Sequence, residues 1–145
     1  MCIRERLNGG SVIKGEHLMS LQAGKLINVK HPNKSLLIND LTSPVTALAG
    51  IGNPQRFFSL LEKEQVKLKN KISFVDHHVF SKADIPGSAV IMTEKDAVKC
   101  TQIAHDDCWY LPVSASLSSQ FESQLIQKLE QVATDKKQLR ENNVL

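Results

Sequence analysis

The spacing of apolar positions changes character near Pro44. Before it, Leu21 to Val29 and Ser35 to Asn39 are strand-like and flank His31-Pro32-Asn33-Lys34, whose proline and asparagine suit a turn. This predicts a two-stranded ribbon, and because a lone hairpin is marginal in water it must lie against something. After Thr42-Ser43-Pro44, strand and helix patterns alternate. Val45 to Ile51 is an apolar run entering Gly50-Ile51-Gly52-Asn53-Pro54, where Asn53 is a good N-cap and Pro54 fits the first helical position. Phe57, Phe58, Leu61 and Leu68, with Leu60 beside them, form the stripe of the helix that follows.

Ile72 to Val75 then predicts a buried strand. A short connection through Ala83 to Gly87 leads to the strand Ala89 to Met92. Thr93 precedes a helix over Glu94 to Cys100, with acids early and Lys99 late, as the helix dipole favours. Trp109 to Val113 predicts a fourth strand, and Pro112 places it at an edge. The last helix opens on a capping box, Ser119 with Glu122, and carries the stripe Phe121, Leu125, Ile126, Leu129 and Val132. From Thr134 the composition turns polar, which predicts a frayed tail.

The sum is an α/β fold with a mainly parallel sheet and flanking helices, preceded by a two-stranded β-ribbon. The expected division is 1–44 for an N-terminal remnant and ribbon, 45–133 for the α/β domain and 134–145 for the tail. Met1 to Gly15 is a poor start for a domain, with Leu7-Asn8-Gly9-Gly10 resembling a turn that lacks a strand before it.

Composition narrows the class. The 145 residues, 41% hydrophobic and 23% charged, fit one globular domain. A net charge of +3 and a pI near 8.8 weakly favour anionic partners, since the basic residues are scattered. Cys2, Cys100 and Cys108 are odd in number and lack CxxC spacing, which argues against a disulfide framework or a zinc site. There is no apolar run of membrane-spanning length.

The richest chemistry lies in Phe74-Val75-Asp76-His77-His78-Val79-Phe80-Ser81, where a strand delivers a carboxylate and two imidazoles into one loop. In an open α/β sheet that rim is where ligands bind. Such a trio can ligate a metal, relay a proton or cap the next segment. Gly50-Ile51-Gly52 resembles half of a dinucleotide fingerprint, but Gln55 holds the third glycine's place, so a tight turn with a capped helix accounts for it better. Gly10 to Gly15 has P-loop glycine spacing, yet Glu16 and His17 stand where Lys and Ser or Thr are needed. Asp76-His77-His78 also matches the signature of DHH-type phosphoesterases. Those enzymes draw two metals from several motifs, and only His105-Asp106-Asp107-Cys108 follows here, so no metal ligands are assigned. Thr93-Glu94-Lys95-Asp96 is either a nucleotide-facing lysine and carboxylate or a helix start with a salt-bridged first turn.

Asn8-Gly9-Gly10, Ala49-Gly50-Ile51-Gly52-Asn53-Pro54-Gln55-Arg56-Phe57-Phe58, Asp76-His77-His78-Val79-Phe80-Ser81, Met92-Thr93-Glu94-Lys95-Asp96-Ala97-Val98-Lys99-Cys100 and Trp109-Tyr110-Leu111-Pro112-Val113 stand in the order and spacing of one family. They resemble the C-terminal half of tetraacyldisaccharide 4'-kinase, the lipid A kinase of Gram-negative bacteria. The resemblance implies phosphoryl transfer dependent on ATP and Mg²⁺ to the 4'-hydroxyl of an acylated glucosamine disaccharide, at the cytoplasmic face of the inner membrane. It implies the smaller α/β domain and the linker ribbon of a P-loop kinase, with the phosphate loop, Mg²⁺ carboxylates and catalytic aspartate in an N-terminal half that this sequence lacks.

His77 matches the family's histidine that pairs with that aspartate, and Asp76 is expected to orient the His77 ring. Val75 replaces the family's proline. Lys95 and Asp96 are candidate cofactor contacts, Asn53 and Arg56 candidate substrate or interdomain contacts, and His78 has no assigned role. The chain alone is expected to be inactive and soluble, as a truncated reading frame or one part of a split gene, with no nucleic-acid partner. A non-catalytic interaction module docking through the ribbon and the His77 rim is the alternative, with a Rossmann-type dinucleotide binder behind it.

Overall fold

The computed structural model describes residues 2–5 and 16–142. In chain order its elements are β1 (Cys2–Glu5), β2 (Glu16–Ala23), β3 (Leu26–Asn28), β4 (Ser35–Leu36), β5 (Val45–Ala49), α1 (Pro54–Lys63), β6 (Leu68–Ser73), β7 (Val90–Thr93), α2 (Glu94–Cys100), β8 (Cys108–Leu111), β9 (Val113–Leu117) and α3 (Ser119–Asn142). They form two compact units, Ala23–Ser114 and the described parts of Met1–Gln22 with Ala115–Leu145. The turn at Asn8-Gly9-Gly10 and the glycine-spaced segment Gly10 to Gly15 lie outside the described residues, but the strand expected to be missing before that turn is present as β1, paired with β2.

The larger unit is built on a six-stranded sheet in the order β4-β3-β8-β7-β5-β6. Strands β8, β7, β5 and β6 are mutually parallel, while β3 runs antiparallel to both β4 and β8. Every residue of β5 and β7 is buried, because both faces of these central parallel strands are covered. Alternation divides them between two layers. Ala47, Ala49 and Ile91 pack with Phe57, Phe58 and Leu61 of α1. Leu48, Val90 and Met92 pack with Ala97 and Cys100 of α2 and with Phe80 and Ile85 of the β6–β7 connection.

Local signals act as the sequence predicts at both main helix starts. Asn53 Oδ1 accepts the Arg56 N–H at 3.3 Å, with Pro54 in the first turn. Thr93 Oγ1 accepts the Asp96 N–H at 3.2 Å and starts α2. The ribbon is present as β3 and β4, closed by the Lys34 N–H on the His31 carbonyl. It does not stand apart, because β3 hydrogen-bonds β8 and makes the ribbon the end of the main sheet. Leu21 to Ala23 belongs instead to β2.

Several expectations are corrected. Helix α1 ends at Lys63, where Gln65 takes a left-handed φ of 61°, so Leu68 opens β6 rather than extending the stripe. Strand β6 is the sheet edge and mostly exposed, not buried, and its Lys69 and Lys71 are the charges that keep an edge from pairing further. Strand β8 lies inside the sheet between β3 and β7. Pro112 falls just beyond the pairing that ends at Thr93↔Leu111, so its missing N–H costs the ladder nothing. The β6–β7 connection is short, as expected, and holds a single 3-10 turn, Lys82–Asp84.

The smaller unit has the strand order β1-β2-β9, with β1 parallel to β2. Ser118 Oγ, not Ser119, accepts the Phe121 N–H at the start of α3. Phe121 is buried against the His17 ring, with centroids 4.7 Å apart. The helix continues through Thr134 to Asn142, where a frayed tail is expected.

Candidate functional site at the Asp76–His77 rim

Parallel pairing of β5 with β6 and β7 brings their C-terminal ends to one rim. Three segments meet there: Gly50 to Asn53 after β5, Phe74 to Ser81 after β6, and the start of α2 after β7.

The His78 N–H closes a turn on the Val75 carbonyl at 3.1 Å. His77 occupies its third position with φ 63°, a conformation that favours glycine. The Asp76 side chain holds it there, because Asp76 Oδ1 accepts the His77 N–H at 3.0 Å. The imidazole stands outward, with its side chain 82% exposed. Its Nε2 lies 3.6 Å from Asp76 Oδ2, beyond hydrogen-bonding distance. Asp76 therefore grips His77 by its backbone, while the ring is left accessible.

The same Oδ1 receives Lys95 Nζ at 2.8 Å from the first turn of α2. That hydrogen bond, with the His77 N–H and the nearby positive charge, holds the Asp76 carboxyl below its ordinary value of 3.8 against a smaller opposing effect of burial. A Cβ on Gly52 would stand 3.9 Å from Asp76 Oδ2, so the loop after β5 passes beside this carboxylate.

The neighbouring His78 has a different task. Its ring stacks on Phe74 at 4.4 Å and meets the edge of Phe80 at 4.9 Å, with Nε2 3.4 Å from Asp84 Oδ2. Asp84 Oδ2 also accepts the Ser81 N–H at 2.7 Å and the Ser81 hydroxyl at 2.8 Å, and these bonds lower the Asp84 pKa. The second histidine and its carboxylate thus fasten the loop from inside.

Lys95 and Asp96 also diverge. Asp96 is fully buried, and its Oδ2 accepts the Gly50 N–H at 2.8 Å and the Thr93 hydroxyl at 2.6 Å. Lys99 Nζ stands 3.5 Å from the other oxygen. One carboxylate thereby ties the end of β5 to the end of β7 and the start of α2. A Cβ on Gly50 would lie 3.0 Å from Phe80 Cζ and 3.1 Å from Asp96 Oδ1, so a side chain there would press on both. Gly50 and Thr93, read from sequence as part of a tight turn and as a helix start, build the site through this carboxylate. Asn53 serves as the cap of α1, with Arg56 in the first turn behind it.

The second polar cluster disperses. Asp106 pairs with Lys30 at 2.9 Å and lies 3.2 Å from His31, interactions that lower its pKa. Asp107 Oδ1 accepts the Trp109 indole N–H at 2.9 Å, and His105 Nε2 lies 2.8 Å from the Pro86 carbonyl oxygen. Among the described residues, no three His, Cys, Asp or Glu side chains are placed to hold one metal ion. Cys100 and Cys108 are buried, and burial raises both thiol pKa values, that of Cys100 to about 12 with the Asp96 charge adding to the effect.

The rim thus presents an exposed imidazole on a rigid turn beside a carboxylate fastened by a lysine. Such a group can exchange a proton or hydrogen-bond a carboxylate brought to it.

The family model for tetraacyldisaccharide-1-P 4'-kinase matches residues 7–130. A tetraacyldisaccharide 4'-kinase from Pseudoalteromonas atlantica is 54% identical over 126 residues, which are 87% of this chain and 41% of the relative. One from Shewanella halifaxensis is 39% identical over 134 residues, 90% of this chain and 41% of the relative. The chain spans about two fifths of the length of these curated relatives. Among solved structures it is similar to LpxK from Aquifex aeolicus, described as an "apo" form in complex with ATP, with a TM-score of 0.56 and 21% identity. That likeness covers 82% of this chain and 38% of the other, and speaks for the fold alone.

Proposed function

Because this chain belongs to the tetraacyldisaccharide 4'-kinase family, we propose that it supplies the C-terminal α/β part of an enzyme that phosphorylates the 4'-hydroxyl of a tetraacyldisaccharide 1-phosphate. The resemblance to the family implies that this reaction takes place at the cytoplasmic face of the inner membrane. No helix among the described residues is long and apolar enough to cross a membrane.

ATP and Mg²⁺ belong to this reading, and the described residues do not fit them. They include no glycine-rich loop followed by Lys and Ser or Thr, and no three ligating side chains converge. Lys95 is already paired with Asp76, and Asp96 faces inward. The nucleotide and metal are therefore assigned to the portion of the family's length that this chain does not span.

What this chain contributes is position. The observation that carries the proposal is the His77 imidazole, projected from a left-handed turn at the sheet rim and 82% exposed. In the proposed role it hydrogen-bonds the catalytic aspartate of the other portion, orienting that carboxylate and tuning its basicity as it accepts the proton of the 4'-hydroxyl. Asp76 keeps the His77 backbone in its strained conformation, and Lys95 holds the Asp76 carboxylate in place. Asn53 and Arg56 stand close to this rim at the start of α1 and are proposed as contacts to substrate or to the other portion.

The test is to co-express this chain with the non-matching portion of the Pseudoalteromonas atlantica relative and to follow ATP-dependent phosphorylation of the disaccharide. His77→Ala should lower turnover by about 10²–10⁴-fold, the usual contribution of a positioned acid–base group. Full activity in that variant would remove His77 from the mechanism. A folded complex without activity would favour the non-catalytic interaction module.

A further inference from the structure

The turn that presents His77 has two ends, and the proposed function accounts for one of them. On the entry side Asp76 accepts the His77 N–H and is itself held by Lys95. The Lys95 and Asp76 side chains are 49% and 41% exposed, so their pairing is screened by water and restrains the turn weakly. A residue at φ 63° stays there when its surroundings over-determine it. The exit side has to supply the rest.

From Val75 to Val79, His78 is the one residue that is not exposed. Val75 and Val79 stand 75% and 87% exposed, and His77 turns outward. The His78 N–H closes the turn on the Val75 carbonyl, and its ring leaves the turn inward. It lies nearly flat on Phe74, at an interplanar angle of 24°, and nearly perpendicular to Phe80, at 82°. Phe74 and Phe80 also meet edge to face at 5.2 Å, so each of the three rings touches the other two. Phe80 is buried in the layer of Leu48, Met92 and Ala97, and Lys99 Nζ lies 5.6 Å from its ring centroid. Through that ring His78 is tied to the sheet and to α2. Its polar end adds less. Nε2 is 3.4 Å from Asp84 Oδ2, longer than a good N–H···O bond, and that oxygen already accepts the Ser81 N–H and hydroxyl.

We infer that His78 is a positioning residue for phosphoryl transfer: its ring, clasped by Phe74 and Phe80, anchors the exit of the turn and thereby fixes the direction in which the adjacent His77 imidazole points. The inference rests on the proposed role of His77. Consecutive residues share one planar peptide, so immobilising the second limits the freedom of the first. Ring packing is the agent, and the contact to Asp84 is secondary. Holding a reacting group to within about 1 Å is worth roughly 10²-fold in rate.

The test compares His78→Ala, which removes the ring, with His78→Phe, which keeps a ring and gives up Nε2. In backbone NMR relaxation of the full chain, the His77 N–H should have an order parameter of about 0.85 in the unmodified chain and in His78→Phe, and below about 0.6 in His78→Ala. In the complex co-expressed with the non-matching portion of the Pseudoalteromonas atlantica relative, His78→Ala should lower kcat by roughly 10–10²-fold with KM unchanged, and His78→Phe should keep most of the turnover. In a His77→Ala background the His78→Ala change should cost nothing further, because it acts through a ring that is no longer there. A His77 order parameter unmoved by His78→Ala would overturn the anchor. An equal loss of turnover in the His77→Ala background would overturn it too, by marking general damage to the fold. If His78→Ala does not fold, His78→Phe decides: full turnover supports ring packing, and a loss as large as that expected of His78→Ala overturns it in favour of the Asp84 contact. Full activity in His77→Ala together with a loosened turn in His78→Ala would uphold the anchor and reject the catalytic reading on which its function rests.

Discussion

Lys95 Nζ lies 2.8 Å from Asp76 Oδ1 across nineteen residues of sequence, fastening the first turn of α2 to the loop after β6. The pair stands at the rim of the sheet, and Asp76 passes the constraint to the His77 backbone through the same oxygen. One lysine therefore steadies the presentation of an imidazole it does not touch.

Breaking that pair should be visible in titration. The Asp76 pKa is lowered in the folded chain, so its contribution to stability is complete above 3.8 and is lost as pH falls through the folded value. Lys95→Met should move the Asp76 carboxyl midpoint, followed by NMR, up toward 3.8. Its small loss of stability near neutral pH should vanish in acid, where the wild-type carboxylate is protonated too. An unmoved midpoint would show that the hydrogen bond does not control this carboxylate.

Strain at His77 separates stability from activity. A non-glycine residue at φ 63° costs about 1–2 kcal/mol. His77→Gly relieves that strain while adding freedom to the unfolded chain, so denaturant unfolding should find it unchanged or up to about 1 kcal/mol more stable. Phosphoryl transfer by the complex should still fall by about 10²–10⁴-fold. Glycine restoring activity would mean that the turn, not the ring, matters.

Asp96 and Gly50 form one structural unit. Asp96→Ala leaves the Gly50 N–H and the Thr93 hydroxyl without their acceptor and should destabilise by about 1–3 kcal/mol. Gly50→Ala forces a methyl within 3.0 Å of Phe80 and should cost a similar about 1–3 kcal/mol. Because the two share one site, the double variant should lose less than the sum in urea unfolding. Full additivity would argue that they do not communicate.

The buried thiols should be inert. With the Cys100 pKa near 12 and that of Cys108 also raised, little thiolate exists at mildly alkaline pH. Peptide mapping after iodoacetamide treatment should find both unmodified in the folded chain and both alkylated in denaturant. Rapid native labelling of Cys100 would contradict its burial.

Much of this fold is legible locally. The unbroken apolar runs of β5 and β7, the Asn53-Pro54 start of α1 and the Thr93 cap of α2 act through neighbours a few residues away, and all appear where their spacing puts them. The errors in the sheet share a cause. Placing β8 at an edge, treating β6 as buried and reading the ribbon as a separate linker each required knowing which strands lie side by side, and residue spacing within a strand does not encode its neighbours.

The site divides in the same way. Residue order alone places a carboxylate and two imidazoles after one strand, and a lysine and an acid after another. Their separate fates come from the folded packing: His77 outward and His78 between two phenylalanines, Lys95 onto Asp76 and Asp96 into the core. Adjacent residues in a turn or first helical turn point in different directions. Which direction meets solvent and which meets the core depends on the order of strands, and that order is settled by long-range packing rather than by any local pattern.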